Sequence, residues 1–373
     1  MSKNSLRIIH LTSEYPPVIG GVATHVHQLA TAMANNGHDV SVVTSSSIDE
    51  EIYFNPPVYR PSVPHSRLFY TSVLRRKLRQ YLQENAADII HVHGMRPLEA
   101  SKDLGIPVVF TNHTSGFLQR LEKGGKRRLR NLAWRMSHIP LVLAPSDELI
   151  EATLKTGYQG ATEFISNGVD ADLFYADEKE REKQRSTWGI KENDLVVLLA
   201  RRLAAKNGVV DFAKACSHLT SDNIRIVIAG DGDERSAMEE QLAKQAHSSP
   251  PLFLGAVVNT DMPNIYRAAD ICVLPSHYEA TSITGLEAMS TSLPLVGTEV
   301  GGIPTLVADN ESGLLVPPHQ PETMGKVIAE LAADREKISR MGQAARQRVE
   351  QQFTWRAIAE KTVDAYRTHA LEK

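Results

Sequence analysis

The chain is short of several things, and each shortage excludes something. Cysteine occurs twice in 373 residues, as Cys216 and Cys272, both inside apolar patterns. Two distant thiols supply neither a disulfide framework nor a thiolate metal site. No apolar run approaches the roughly 18–20 residues that span a bilayer. Met1 to Asn4 leads straight into the strand-like Leu6-Arg7-Ile8-Ile9, without the long apolar body of a secretory leader. A cytoplasmic protein is the expectation. An excess of one charge is also missing: 41 Lys+Arg against 44 Asp+Glu leave a net charge of -3. That gives no bulk attraction to nucleic acid, and no nucleic-acid partner is expected. Low-complexity tracts and short repeats are absent.

What is present is an ordinary globular composition, 42% hydrophobic and 23% charged, on a chain too long for one core of usual size. Strand-like runs at 6–11, 39–44, 88–92, 108–111, 141–144 and 162–165 alternate with helical patterns at 22–35, 72–85 and 125–136. A second series of strands follows at 195–199, 225–229, 252–254, 271–274, 295–297 and 313–316. Helical patterns at 209–219, 234–246, 263–269, 284–289 and 321–332 lie between them. Alternation of this kind predicts an α/β protein of two parallel, doubly wound, Rossmann-like domains. The charged stretch Asp177 to Lys183 reads as the boundary between 1–175 and 190–350. Two polar amphipathic segments close the chain, and the last, about 354–373, is long enough to pack back on the first domain.

The segment Ser276 to Met289 follows the apolar strand Ile271-Cys272-Val273-Leu274-Pro275 and opens a helix near Thr281 or Ser282. Glu279 and Glu287 bracket it. Ser282 is a competent N-cap. The N–H groups of Ile283 and Thr284 fall in a first turn, where they lack intrahelical partners and can face an anion. Phosphate donors between two hydroxyl-accepting carboxylates suit a nucleotide sugar, which has a diphosphate between polyols. Arg201 and Lys206 follow the first strand of the second series, at the same carboxyl edge, and can close on a diphosphate; an isolated R-x-x-x-x-K is otherwise a solvated charge pair. The Gly230-Asp231-Gly232-Asp233 turn can shape a pocket or be a bare turn. Gly20-Gly21, after the first strand, lets backbone approach a ligand or makes only a tight turn, and it lacks the G-x-G-x-x-G spacing of a dinucleotide site.

Taken together and in order, these segments resemble the retaining family 4 glycosyltransferases of the GT-B fold (glycosyl transferases group 1). The resemblance spans nearly the whole chain, from Pro16-Pro17-Val18-Ile19-Gly20-Gly21-Val22 through Asn167-Gly168-Val169-Asp170 and Arg201 to Gly208, ending at Gly313-Leu314-Leu315-Val316. It implies two domains facing a central cleft, the donor bound mainly to the second and the acceptor mainly to the first. Glu279 and Glu287 match the E-x7-E motif, near the donor sugar hydroxyls and the ribose hydroxyls respectively. Ile283 and Thr284 match the phosphate-binding amides. Arg201 and Lys206 match the diphosphate pair, and Gly20 and Gly21 match the loop that approaches donor phosphate and acceptor. His113 matches a histidine at the reaction centre, and Asn259 a residue near the base. His91, His93 and His277 lack comparable support and read as structural or peripheral. Serine stands at 282 where the family usually has glycine, which bears on the space beside the donor sugar.

The resemblance implies a retaining transfer by front-face substitution, without cofactor and without metal, the fixed charges of Arg201, Lys206 and the helix start taking the part of an ion. The acceptor is a hydroxyl, on a glycan, glycolipid or cell-surface polysaccharide precursor. Basic stretches at Arg75 to Arg79 and Lys123 to Arg135, with Leu129, Leu132, Ala133 and Met136 at helical spacing, suit either the inner face of an anionic membrane or a solvated helix packed on its own domain. The alternative function is a sugar-nucleotide-binding or epimerase-type GT-B protein that transfers nothing. The sequence does not identify base or sugar.

Overall fold

The computed structural model describes residues 5–18, 20–46, 55–64, 66–113, 125–245, 249–279 and 281–371. Met1 to Asn4, Ile19, Lys123, Gly124, Ala246 and Ala280, which figure in the sequence reading, lie outside them. The chain forms two compact units, one made of 1–168 with 355–373 and the other of 169–354.

The first unit is built on a seven-stranded sheet: β1 (Arg7–Thr12), β2 (Asp39–Thr44), β3 (Val58–Tyr59), β4 (Ile89–His93), β5 (Val108–Thr111), β6 (Leu141–Ala144) and β7 (Ala161–Phe164). Their order is β3-β2-β1-β4-β5-β6-β7, and every pairing is parallel. The second unit holds β8 (Leu195–Ala200), β9 (Ile224–Ala229), β10 (Leu252–Gly255), β11 (Ile271–Leu274), β12 (Leu295–Thr298) and β13 (Gly313–Val316), in the order β10-β9-β8-β11-β12-β13, again all parallel. Both orders reverse once, at β1/β4 and at β8/β11, and ligands of open parallel sheets bind outside the strand carboxyl ends at such a reversal.

Helices cover both faces of each sheet, so the strands are apolar throughout instead of alternating. In β8, Leu195, Val197 and Leu199 enter one core, while Val196, Leu198 and Ala200 enter the other. The first unit repeats this. Ile8 packs with Val26, Leu29 and Met33 of the helix Gly21–Asn35, whereas Ile9 and Leu11 pack with Tyr70, Leu74 and Leu78 of the helix Arg67–Glu84. The terminal helix Trp355–Tyr366 returns to this unit, with Ile358, Val363 and Tyr366 in the same core as Val26 and Leu29.

The charged stretch at 177–183 is not a spacer. It lies in the helix Glu178–Thr187, N-capped by Asp177, and this helix belongs to the second unit. Buried Asp270 holds it there, accepting from Arg181 at 2.6 Å, Arg185 at 3.2 Å and the Val196 amide at 2.6 Å. Its outward run of charges masks this role, because the anchoring partner is 85 or more residues away. Also not foreseen were β3, the helix Asp147–Lys155 and the short helices Met95–Leu98 and Ile303–Leu306.

Candidate functional site

In the second unit the candidate residues converge at the β8/β11 reversal. Arg201 leaves β8 and Glu279 follows β11. The Arg201 guanidinium donates to Glu279 Oε2 at 2.8 Å, to Asn207 Oδ1 at 2.8 Å and to Ser276 Oγ at 2.6 Å. Both partners of the ion pair are shielded, with side chains 9% and 17% exposed, so its geometry is held more firmly than that of a surface pair. The Lys206 carbonyl accepts from the His277 and Tyr278 amides at 2.9 and 3.2 Å, which fastens the basic segment to the Glu279 loop. The Lys206 side chain is exposed and has no ion-pair partner among the described residues. It is therefore available to an anion.

Two glycines make this packing possible. A Cβ on Gly230 would sit 2.0 Å from the Arg201 carbonyl, and one on Gly301 would sit 1.5 Å from the Glu279 carbonyl. Both positions also have positive φ. Gly230 thus sets the position of Arg201 by close backbone approach, and Gly301 does the same for Glu279.

The helix Ile283–Ser290 begins as its sequence predicts. Ser282 is extended (φ -88, ψ 101), and its Oγ accepts from the Gly285 amide at 3.1 Å. The hydroxyl is buried, 3% exposed, and turned into the helix end. Serine at 282 therefore caps the helix, while the Ile283 and Thr284 amides have no acceptor among the described residues. One turn on, Glu287 Oε2 accepts from the buried Tyr266 hydroxyl at 2.8 Å. Burial pushes the Glu287 carboxyl up to about 7, and the Tyr266 hydrogen bond pulls it partly back. Tyr266 itself is driven well above its ordinary value, by burial first and then by Glu287. Asn259 lies on an exposed turn after the edge strand β10.

In the first unit, Gly20 and Gly21 open the helix after β1, and neither meets a neighbour that demands glycine: a Cβ on Gly20 would lie 3.5 Å from Glu14 Oε2, and one on Gly21 would meet open space. Bare backbone faces outward there. His113, half-buried, follows β5. It ends a file of imidazoles: His10 Nδ1 lies 2.9 Å from His93 Nε2, and His93 Nδ1 lies 3.0 Å from His113 Nε2. The ring of His25, from the helix Gly21–Asn35, meets His113 edge-on at 4.4 Å, linking the glycine loop to His113. Burial lowers His10 to about 3 and His25 to about 4, and drives His93 and His113 well below their ordinary value, so all four are neutral at pH 7.

Neutral imidazoles have one proton each, so the file allows two arrangements. His10 Nε2 is buried without a partner. A buried orphan N–H costs more than a buried orphan lone pair. The protons therefore sit on Nδ1 of His10 and Nδ1 of His93. His113 Nε2 accepts, and His113 carries its proton on Nδ1. His93, expected to be structural or peripheral, sets the tautomer of His113. His91 is held between the Thr111 and Tyr366 hydroxyls at 2.5 and 2.6 Å.

Sequence reasoning missed Tyr266, Ser276, Asn207, Gly301, His10, His25 and the role of His93. His91-x-His93 was the legible signal, since spacing of two places both rings on one side of β4. Two Asp-x-Asp tripeptides also occur, and each is spent on a turn. Asp170 Oδ1 accepts from the Asp172 and Leu173 amides, both at 3.1 Å, and Asp231 Oδ1 accepts from the Gly232 amide at 2.8 Å. The apolar stripe of the helix Lys126–Met136 is largely used up: Leu132 and Met136 are buried in the core of their own unit. No described helix is long and apolar enough to cross a membrane.

Comparison with known proteins bears on the family and the fold. The Glycosyltransferase Family 4 model matches residues 19–173, and the Glycosyl transferases group 1 model matches residues 180–348. The alpha-maltose-1-phosphate synthase of Mycolicibacterium smegmatis is 28% identical over 97% of this chain and 99% of its own length. The D-inositol 3-phosphate glycosyltransferase of Saccharomonospora viridis is 28% identical over 93% of this chain and 89% of its own. The structure of Anabaena HepE in complex with UDP superposes with a TM-score of 0.79 at 21% identity, covering 97% of this chain and 100% of that one; another structure of the same protein holds UDP-glucose. The two family models together cover most of the chain, and their halves coincide with the two units, one bearing the histidine file and the other the Arg201–Glu279 constellation: the chain belongs to the group 1 glycosyltransferases of the GT-B fold and is a glycosyltransferase.

Proposed function

We propose that the protein is a retaining glycosyltransferase that moves a sugar from a nucleoside-diphosphate sugar to a hydroxyl acceptor by front-face substitution, with no metal in the chemical step. The observation that carries this is the Arg201–Glu279 ion pair standing beside an unpaired Lys206 and a capped helix whose first amides lack acceptors. The donor diphosphate lies against Arg201, Lys206 and the Ile283 and Thr284 amides, and Glu287 accepts from the ribose hydroxyls. Glu279 holds the sugar hydroxyls. As the bond from the anomeric carbon to the phosphate oxygen breaks, the acceptor oxygen bonds to that carbon on the same face, and its proton passes to the leaving phosphate. The charge left on the diphosphate falls on two cations and a helix start, each contributing on the order of 2–4 kcal/mol in a partly dry site. His113 offers its Nδ1 proton to a substrate hydroxyl.

The donor is a nucleoside-diphosphate sugar, and a cytoplasmic location suits such donors. An acceptor presented at a bilayer would meet the exposed Leu68, Phe69 and Trp134 rather than the buried stripe of Leu132 and Met136; co-sedimentation with anionic liposomes at low salt reads this directly. A thermal-shift screen of UDP-, GDP- and ADP-sugars identifies the donor. With that donor, Glu279→Ala lowers turnover by about 10²-fold or more while nucleoside-diphosphate affinity changes little. Lys206→Ala weakens nucleoside-diphosphate binding in calorimetry. Wild-type turnover in Glu279→Ala would overturn the assignment.

A further inference from the structure

We propose that Asp211, His277 and His319 form a site for a borderline transition-metal ion such as Zn2+, fastened to the loop that carries Glu279. The three residues come from separate parts of the second unit. Asp211 is in the first turn of the helix Val209–Ala215, His277 is in the loop after β11, and His319 is in the turn between β13 and the helix Pro321–Ala332. Asp211 Oδ2 lies 2.8 Å from His277 Nε2 and 3.8 Å from His319 Nδ1, and one ligand atom from each residue falls within 4.8 Å of the other two. A four-coordinate ion with bonds of roughly 2.0–2.2 Å sets neighbouring ligand atoms about 3.3 Å apart. The observed 2.8 and 3.8 Å lie on either side of that spacing.

A plain histidine–aspartate hydrogen bond accounts for His277 alone. It does not account for His319. At 3.8 Å its Nδ1 is beyond hydrogen-bonding distance of the shared oxygen. Its ring centroid lies 3.9 Å from that of His277, with the planes tilted by 36°, so the two imidazoles crowd the same carboxylate oxygen. His319 is also held at φ 59, a backbone conformation disfavoured for a residue with a side chain. One ion shared by the three resolves this arrangement. Lys214 pairs with the other carboxylate oxygen, Oδ1, at 3.3 Å, and leaves Oδ2 to face the imidazoles. Two imidazoles and one carboxylate select Zn2+, Co2+, Ni2+ or Cu2+ over the oxygen-seeking Mg2+ and Ca2+. The His319 side chain is 65% exposed, so an ion can enter and keep a water as fourth ligand.

The site is joined to the donor loop by covalent and hydrogen bonds. The His277 amide donates to the Lys206 carbonyl at 2.9 Å, and Glu279 is two residues further along. An ion here ties that loop to the start of the helix Val209–Ala215 and to the His319 turn. Its effect is to stiffen the donor side, distinct from the chemistry, so the ion is not needed for transfer.

The test uses the chelator-treated full-length protein, with Co2+ as the optical probe and Zn2+ in a thermal-shift titration. One equivalent of Co2+ is expected to develop the visible absorption of a low-coordinate site, and Zn2+ to raise the melting temperature saturably while Mg2+ does not. His319→Gly removes one ligand and suits the positive φ, so it folds; it should weaken Zn2+ binding at least about tenfold. The other candidate ligand sets among the described residues, His10–His91–His93 and His25–His93–His113, share His93, and His113→Ala and His93→Phe should each leave binding unchanged. No saturable binding, an equal response to Mg2+, unaltered affinity in His319→Gly, or loss in His113→Ala with retention in His319→Gly would each overturn the proposal. Because the readout is ion binding, failure here is separable from failure of the glycosyl-transfer mechanism.

Discussion

Glu287→Gln is the substitution whose consequences the structure specifies most fully. In the free protein the Glu287 carboxyl titrates at about 7, raised by burial. Ribose hydroxyls donating to the carboxylate favour its charged form, which returns the group toward its ordinary value of 4.5. Binding therefore requires deprotonation below about pH 7, and affinity falls as pH falls. Between pH 8 and pH 6 the weakening amounts to about tenfold, or about 1.4 kcal/mol. At pH 7 binding should release about half a proton, seen as a calorimetric enthalpy that depends on the buffer. The donor should be the intact nucleotide sugar, whose diphosphate has no group titrating in this window. Glu287→Gln should abolish both the slope and the proton release, and bind more weakly at pH 8. Its effect on stability has the opposite sign. An unfolded chain loses this proton near 4.5, while the fold keeps it to about 7, so stability declines as pH rises across that interval. At about 1.36 kcal/mol per pH unit this costs on the order of 3 kcal/mol, and the unliganded Gln variant should melt higher at pH 8. Tyr266→Phe removes the hydrogen bond that lowers the carboxyl, so the binding midpoint moves to higher pH. Affinity that stays flat from pH 6 to 8 in the wild type, or slopes equally in Glu287→Gln, would refute the reasoning.

Three further outcomes follow from other parts of the molecule. Gly301→Ala forces a Cβ to within 1.5 Å of the Glu279 carbonyl at a positive φ, so kcat should drop by one to two orders of magnitude while nucleoside-diphosphate affinity, measured by calorimetry, holds. His93→Phe breaks the imidazole file; kcat falls without a change in nucleotide affinity, and 15N spectra of the wild type should show His113 protonated on Nδ1, an Nε2 proton there being the contrary result. Asp270→Ala leaves Arg185 buried without its carboxylate and should cost about 3–5 kcal/mol in denaturant unfolding; a loss below 1 kcal/mol would mean that the helix Glu178–Thr187 is held by other contacts.

The sequence by itself determined the architecture. Runs such as Leu195 to Leu199 and Ile271 to Leu274 are apolar throughout, which only a strand covered on both faces requires, and their alternation with helical periods leaves a parallel doubly wound sheet as the outcome. It also located the start of the helix Ile283–Ser290, because a cap is a local matter of one hydroxyl and an amide three residues on. Arg201, Lys206, Glu279 and Glu287 were legible because each directly follows or enters an element at the strand carboxyl edge. The tertiary structure decided what depends on partners remote in the chain. Arg201 meets Glu279 across 78 residues, and Tyr266 meets Glu287 across 21. Their protonation and orientation follow from burial, which no local pattern encodes. The same holds for the histidines. His10, His93 and His113 look like unrelated core residues along the chain, and only the adjacency of β1, β4 and β5 makes them one hydrogen-bonded file. The charged helix Glu178–Thr187 passed for a boundary, because its exposed residues dominate its composition while the few that anchor it pair with Asp270, which lies just before β11 and far along the chain.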